Sequence, residues 1–124
     1  MSGPSGDGQS AAIDRSKLAE LSGGDPSIER KLLTVFRLAN DVDVAALKEA
    51  LEKRDIVSVT RASHRVKGAG RIVGAMALAD ICGRIDHAGR AGDWVTIAAN
   101  REALCRELDR VNACLGTLDR TPAP

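Results

Sequence analysis

One apolar seam constrains this chain more than any other feature. Ile56, Val59, Ser63, Val66, Gly70 and Val73 follow one another at spacings of three, four, three, four and three. That is the period of a helix with a narrow buried stripe. A strand alternates with a period of two and cannot turn these six residues to one side. Two steps of the seam are small, so a neighbouring helix can approach closely there. Asp55 stands at the capping position before it and Gly74 just past it. His64 falls one position off the seam, rotated by about 100°, and is expected to flank the core rather than enter it.

The rest of the chain reads in the same period. Asp14 caps a short helix to Leu21, anchored by Leu18 and Leu21 and stopped by Ser22-Gly23-Gly24. Asp25-Pro26 is an N-cap followed by proline at the first helical position, with Glu29 in the first turn. Ile28, Leu32, Val35, Phe36, Ala39, Val42, Ala46, Leu47, Ala50 and Leu51 then keep helical spacing to about Lys53. Asn40-Asp41-Val42-Asp43 is polar enough to interrupt this helix, but the phase carries through it, so one long helix is predicted. Gly74 ends the seam helix and Ala75 begins a tight turn. Leu78, Ile81, Cys82 and Ile85 mark a helix from Met76 to about Ala88, closed by Gly89 and Ala91-Gly92. Asp93 caps a last helix with Trp94 in its first turn and a stripe of Ile97, Leu104, Leu108, Val111 and Leu115.

Short connections make neighbouring helices antiparallel. The expected fold is therefore all-α: an antiparallel up-down four-helix bundle over residues 12–119, with a short N-terminal capping helix. Residues 1–11 and 120–124 are expected to be disordered ends. With 124 residues the chain is one domain, and its 2% aromatic content argues for packed helices rather than a β-sandwich.

Composition removes several function classes. A net charge of +1 gives no global reason for nucleic acid as partner, and Trp94 alone is no base-stacking platform. No apolar run approaches the length of a membrane span, and no signal peptide is visible. Cys82, Cys105 and Cys114 share no metal-ligand spacing and read as buried reduced thiols of a cytoplasmic protein. There is no phosphate-binding glycine loop before a helix, so ATP binding is unsupported.

What remains is local. Six Lys and Arg residues lie between Lys53 and Arg71, against one acid, Asp55. They surround His64. Its imidazole is partly unprotonated near neutral pH and is then a nucleophile towards phosphorus. Lys67 at i+3 and Arg71 at i+7 share its face and suit a phosphorylated imidazole, while Gly68 at i+4 removes a side chain beside the ring. Arg61 and Arg65 add to the surrounding positive field. Spacing alone leaves two readings of His64 open, a reactive ring or a solvated bystander. His87, in a polar context, reads as a bystander.

The stretch His64-Arg65-Val66-Lys67-Gly68-Ala69-Gly70, followed by Gly74-Ala75, Leu78-Ala79, Cys82 and Ile85-Asp86, resembles the histidine phosphotransfer (HPt) domains of multistep phosphorelays. The resemblance extends over about residues 14–118. It implies that His64 is the phosphorylated nucleophile, with Lys67 and Arg71 as phosphoryl-stabilising cations, Gly68 as clearance, and Arg61 and Arg65 on the partner surface. It implies receiver domains of a hybrid histidine kinase and of a response regulator as partners, with Mg²⁺ held by the receiver and no cofactor on this chain. A single copy is expected, with no nucleic acid and no membrane. Three positions depart from the family pattern. Val66 stands for a longer aliphatic, Gly70 for Ser or Ala, and Asp86 for Glu at a place expected to lie far from the ring. A helical adaptor that docks receivers or kinases without carrying phosphate is the alternative. A small helical enzyme would need convergent charges inside the bundle, and the inward stripes are apolar or small.

Overall fold

In the computed structural model, which describes residues 11–119, the chain forms six helices. They are α1 (Arg15–Ser22), α2 (Pro26–Lys53), α3 (Ile56–Val73), α4 (Met76–Arg90), α5 (Trp94–Ala99) and α6 (Arg101–Asp119). No strand occurs among the described residues. The predicted end segments lie, apart from Ala11, outside the described residues. The fold is an all-α antiparallel bundle in which α2, α3, α4 and α6 are the long members and α1 packs across α2 and α3.

Four aspartates start four of the helices. Asp14 accepts a hydrogen bond from the Ser16 amide, Asp25 from Ser27 and Ile28, Asp55 from Ser58, and Asp93 from Thr96. Each satisfies amides that the first helical turn leaves without a partner. The ends follow similar logic. Gly74 closes α3 at φ 83°, where a side chain is strained. A Cβ there would also meet the Asp14 carbonyl oxygen at 2.6 Å. That close approach lets the Asp14 amide donate to the Gly74 carbonyl at 2.9 Å. It pins the strip before α1 against the bundle and leaves Ile13 fully buried. The sequence did not mark Ile13 as core, because the tie is made between residues sixty positions apart.

The seam of α3 is inside: Val59, Ser63, Val66, Gly70 and Val73 are buried. Its small residues and those of α4 set the spacing of this helix pair. A Cβ on Gly70 would sit 3.6 Å from the Ala79 Cβ, and one on Gly89 would collide with the Thr60 hydroxyl. Gly89 is thus an interior packing glycine of α4, which runs on to Arg90, and not the closing signal expected of it.

Four more expectations are corrected. The stripe assigned to α2 mixed two faces of one continuous helix. Leu33, Phe36, Asn40, Leu47, Ala50 and Leu51 are buried, whereas Ile28, Val35 and Val42 are exposed. Leu21 is likewise half-exposed, leaving Leu18 as the anchor of α1. The last helix is two. α5 ends at Ala99 and α6 starts at Arg101, and between them the Asn100 side-chain amide donates to the Thr96 carbonyl at 2.8 Å while its oxygen accepts from Arg84 Nε at 3.1 Å. The stripe itself survives: Ile97, Leu104, Leu108, Val111 and Leu115 are buried. Of the cysteines only Cys82 is buried, and burial pushes its thiol up to about 12. Cys105 is exposed and Cys114 half-buried.

Candidate functional site

His64 stands in the middle of α3 with 58% of its side chain exposed. The seam beneath it fixes this position, since Ser63 and Val66 point inward and leave the ring at the rim facing α4. Directly across lies Asp86. Its carboxylate is only 5% exposed, and its Oδ2 is 3.0 Å from His64 Nδ1. The same oxygen accepts from Lys67 Nζ at 3.3 Å, and Oδ1 accepts from Arg90 Nε at 3.0 Å. One buried carboxylate therefore gathers an imidazole and two cations from two helices.

The electrostatics follow from this arrangement. Burial disfavours ionisation of Asp86, but hydrogen bonds from His64, Arg90 and Lys67 outweigh it and hold the carboxyl below its usual range. An ionised carboxylate only accepts, so the Nδ1 that faces it carries the proton. The neutral ring then has its lone pair on Nε2, the nitrogen turned away from Asp86.

The sequence missed Asp86 as part of this site and placed it far from the ring. The placement was wrong because sequence separation is no guide to distance across a helix pair. A signal was available. Leu78, Cys82, Asp86 and Gly89 share the inward phase of α4, and an acid in that phase requires a partner. Arg90, one turn further, was missed with it.

The remaining site residues take different places. Lys67 is 21% exposed and reaches Asp86 along Gly83, where an added Cβ would touch its stem at 3.4 Å. Gly68 is exposed, and a Cβ there would meet nothing within 4 Å. Arg65 is bound to Asp43 of α2 through Nε at 2.9 Å, and Arg61 is exposed on the same helix. Arg71 lies about 10 Å along the axis from His64, outside the His64–Asp86–Lys67–Arg90 cluster. Two open grooves run along the α3–α4 pair, the first of them lined by the ring. One is lined by Ile56, Val57, Thr60, His64, Gly89 and Arg90, the other by Lys67, Arg71, Gly83, Arg84, Asp86 and Arg90. Val57 contributes an exposed apolar side chain to the first, two turns before the histidine. Among the described residues no three His, Cys, Asp or Glu side chains are placed to hold a metal ion, and no helix is long and apolar enough to cross a membrane.

The Hpt domain family model matches residues 31–114, more than half of the chain. The chain belongs to the Hpt domain family, whose members carry out histidine phosphotransfer in phosphorelays and interact with receiver domains there. No curated protein and no solved structure matches it.

Proposed function

We propose that this chain is a phosphorelay intermediate in which His64 accepts a phosphoryl group from the aspartate of a receiver domain in a hybrid histidine kinase and passes it to the aspartate of a response regulator. The observation that carries this reading is the Asp86 contact. With Nδ1 3.0 Å from the Asp86 carboxylate, the tautomer that keeps the proton on Nδ1 and leaves Nε2 free is favoured.

In the accepting step Nε2 donates its electron pair to the phosphorus of the receiver's aspartyl phosphate. The Nε2–P bond forms, the phosphorus–oxygen bond to the aspartate breaks, and the carboxylate leaves with that electron pair. No proton has to move, because Nδ1 keeps its own. The ring becomes cationic in the transition state, and Asp86 lies beside it to stabilise that charge. The donating step is the reverse. Lys67 and Arg90 sit on the same carboxylate as the ring and add positive charge on that side of the site. Arg71 supplies field from further along the groove.

The division of labour fits the rest of the site. Catalytic Mg²⁺ and the acidic pocket belong to the receiver. This chain contributes a nucleophile, a basic collar including Arg61 and Arg65, the apolar Val57 and an unobstructed helix face at Gly68. In this reading the folded unit spans residues 12–119 and works in the cytoplasm. Incubation with phosphorylated receiver domains should give an acid-labile, base-stable label on the wild-type chain and none on His64→Gln. Equal labelling of the variant would remove His64 from the mechanism. Binding without any label would leave a docking adaptor.

A further inference from the structure

The long helix α2 presents a second seam, and it faces away from the bundle. Lys31, Val35, Leu38, Val42, Ala45 and Glu49 recur at spacings of four, three, four, three and four, and all six are exposed. Val35, Leu38 and Val42 are exposed by 66%, 63% and 69%. Diametrically opposite on the same helix, Leu33, Asn40 and Leu47 are buried against the bundle. A seam of this spacing with an apolar centre is the pattern by which two helices pack.

The order of residues along the seam identifies the partner. About position 40 it is complementary to its own reverse, with lysine opposite glutamate at the ends and apolar opposite apolar between them. Leu38 and Val42 are equidistant from that point, as are Val35 and Ala45, and as are Lys31 and Glu49. Laid against itself in antiparallel register, the helix places Leu38 on Val42 of a second copy, Val35 on Ala45, and Lys31 on Glu49. Each pairing occurs twice, as a two-fold contact demands. One flank of the seam carries Ala39 and Ala46, small enough for the backbones to approach closely. On the other flank Asp41 falls near the two-fold axis, where the two copies bring like charges together and weaken the contact.

We propose that α2 is a self-association surface: two copies of this chain pair through an antiparallel, two-fold contact of the Lys31–Glu49 face. Self-association departs from the single copy expected from the sequence, where Val35 and Val42 read as part of one apolar stripe. No seam residue belongs to the His64–Asp86–Lys67–Arg90 cluster, so association and phosphotransfer are read separately.

The test is analytical ultracentrifugation of the full chain from about 10 μM to about 1 mM, the range in which small two-helix contacts associate. The wild type is expected to move from 13.0 kDa towards twice that mass with rising concentration. Leu38→Glu should hold it at the lower mass while its helical circular dichroism is unchanged. Lys31→Glu and Glu49→Lys should each weaken association by roughly five- to tenfold, since each turns two attractive exposed pairs into repulsive ones. The double charge swap should restore it. Positions 31 and 49 lie about 27 Å apart in one helix, so only contact between copies gives that rescue. Asp41→Asn should tighten association. A wild type that stays at 13.0 kDa throughout, or association indifferent to Leu38→Glu, overturns the proposal. Failure of the double swap to rescue overturns the antiparallel pairing.

Discussion

His64 Nδ1 and Asp86 Oδ2 are 3.0 Å apart. The two residues are separated by 22 positions and belong to different helices. This one contact ties the histidine to a buried carboxylate that also binds Lys67 and Arg90.

Removing the carboxylate should therefore change the ring before it changes the fold. In Asp86→Ala the Nε2-protonated tautomer is expected to gain population, visible in the imidazole ¹⁵N shifts. Phosphotransfer should slow about ten- to a hundredfold, the value of one charge-assisted hydrogen bond. Unchanged nitrogen shifts would show that Asp86 does not set the tautomer.

The same carboxylate makes stability depend on acid. Burial raises its pKa, but hydrogen bonds from His64, Arg90 and Lys67 prevail and hold it lower in the folded chain than in the unfolded one. A group shifted this way stabilises the fold above the ordinary carboxyl value, and the gain is lost as pH falls through the folded value. The cap aspartates Asp14, Asp55 and Asp93 shift in the same direction, through side-chain hydrogen bonds from Ser16, Ser58 and Thr96. Melting temperatures should thus drop steeply below about pH 4. They should drop less steeply in Asp86→Asn, which has no charge to lose. Parallel curves for the two proteins would contradict the assignment.

Gly68 separates stability from function. Among the described residues, apart from the local backbone of α3, nothing lies within 4 Å of a Cβ built there, and alanine is a better helix former by about 1 kcal/mol. Gly68→Ala should accordingly raise the denaturant midpoint. Gly68→Gln should fold equally well yet transfer phosphate at least about tenfold more slowly, because its side chain would intrude between the ring and a docked receiver. Undiminished transfer in Gly68→Gln would mean that clearance at this position is irrelevant.

Gly89 is the reverse case, a glycine the fold cannot spare. Its added Cβ would overlap the Thr60 hydroxyl and lie 3.1 Å from the Thr60 Cβ. Gly89→Ala is expected to cost about 1–3 kcal/mol through overpacking, despite alanine's better helix propensity. In a Thr60→Ala background the cost should shrink by at least about 0.5 kcal/mol, the mark of a direct contact. Additive effects in the double variant would place the strain elsewhere.

Much of this was legible in the sequence, because it depends on neighbours along the chain. The four aspartate caps, the glycine that ends α3 and the 3.6-residue phase of α3, α4 and α6 are local properties, set within one or two turns. The exposed position of His64 follows from the seam beside it. The tertiary structure decided what depends on another helix. It divided the apolar residues of α2 between an inner and an outer face, which period alone cannot do when both faces are apolar. It divided the last helix at Asn100, whose side chain binds Arg84 of α4. It also brought Asp86 and Arg90 to the histidine. A chain read in one dimension can show that an inward acid needs a partner, but the partner's identity belongs to the packing of α3 on α4.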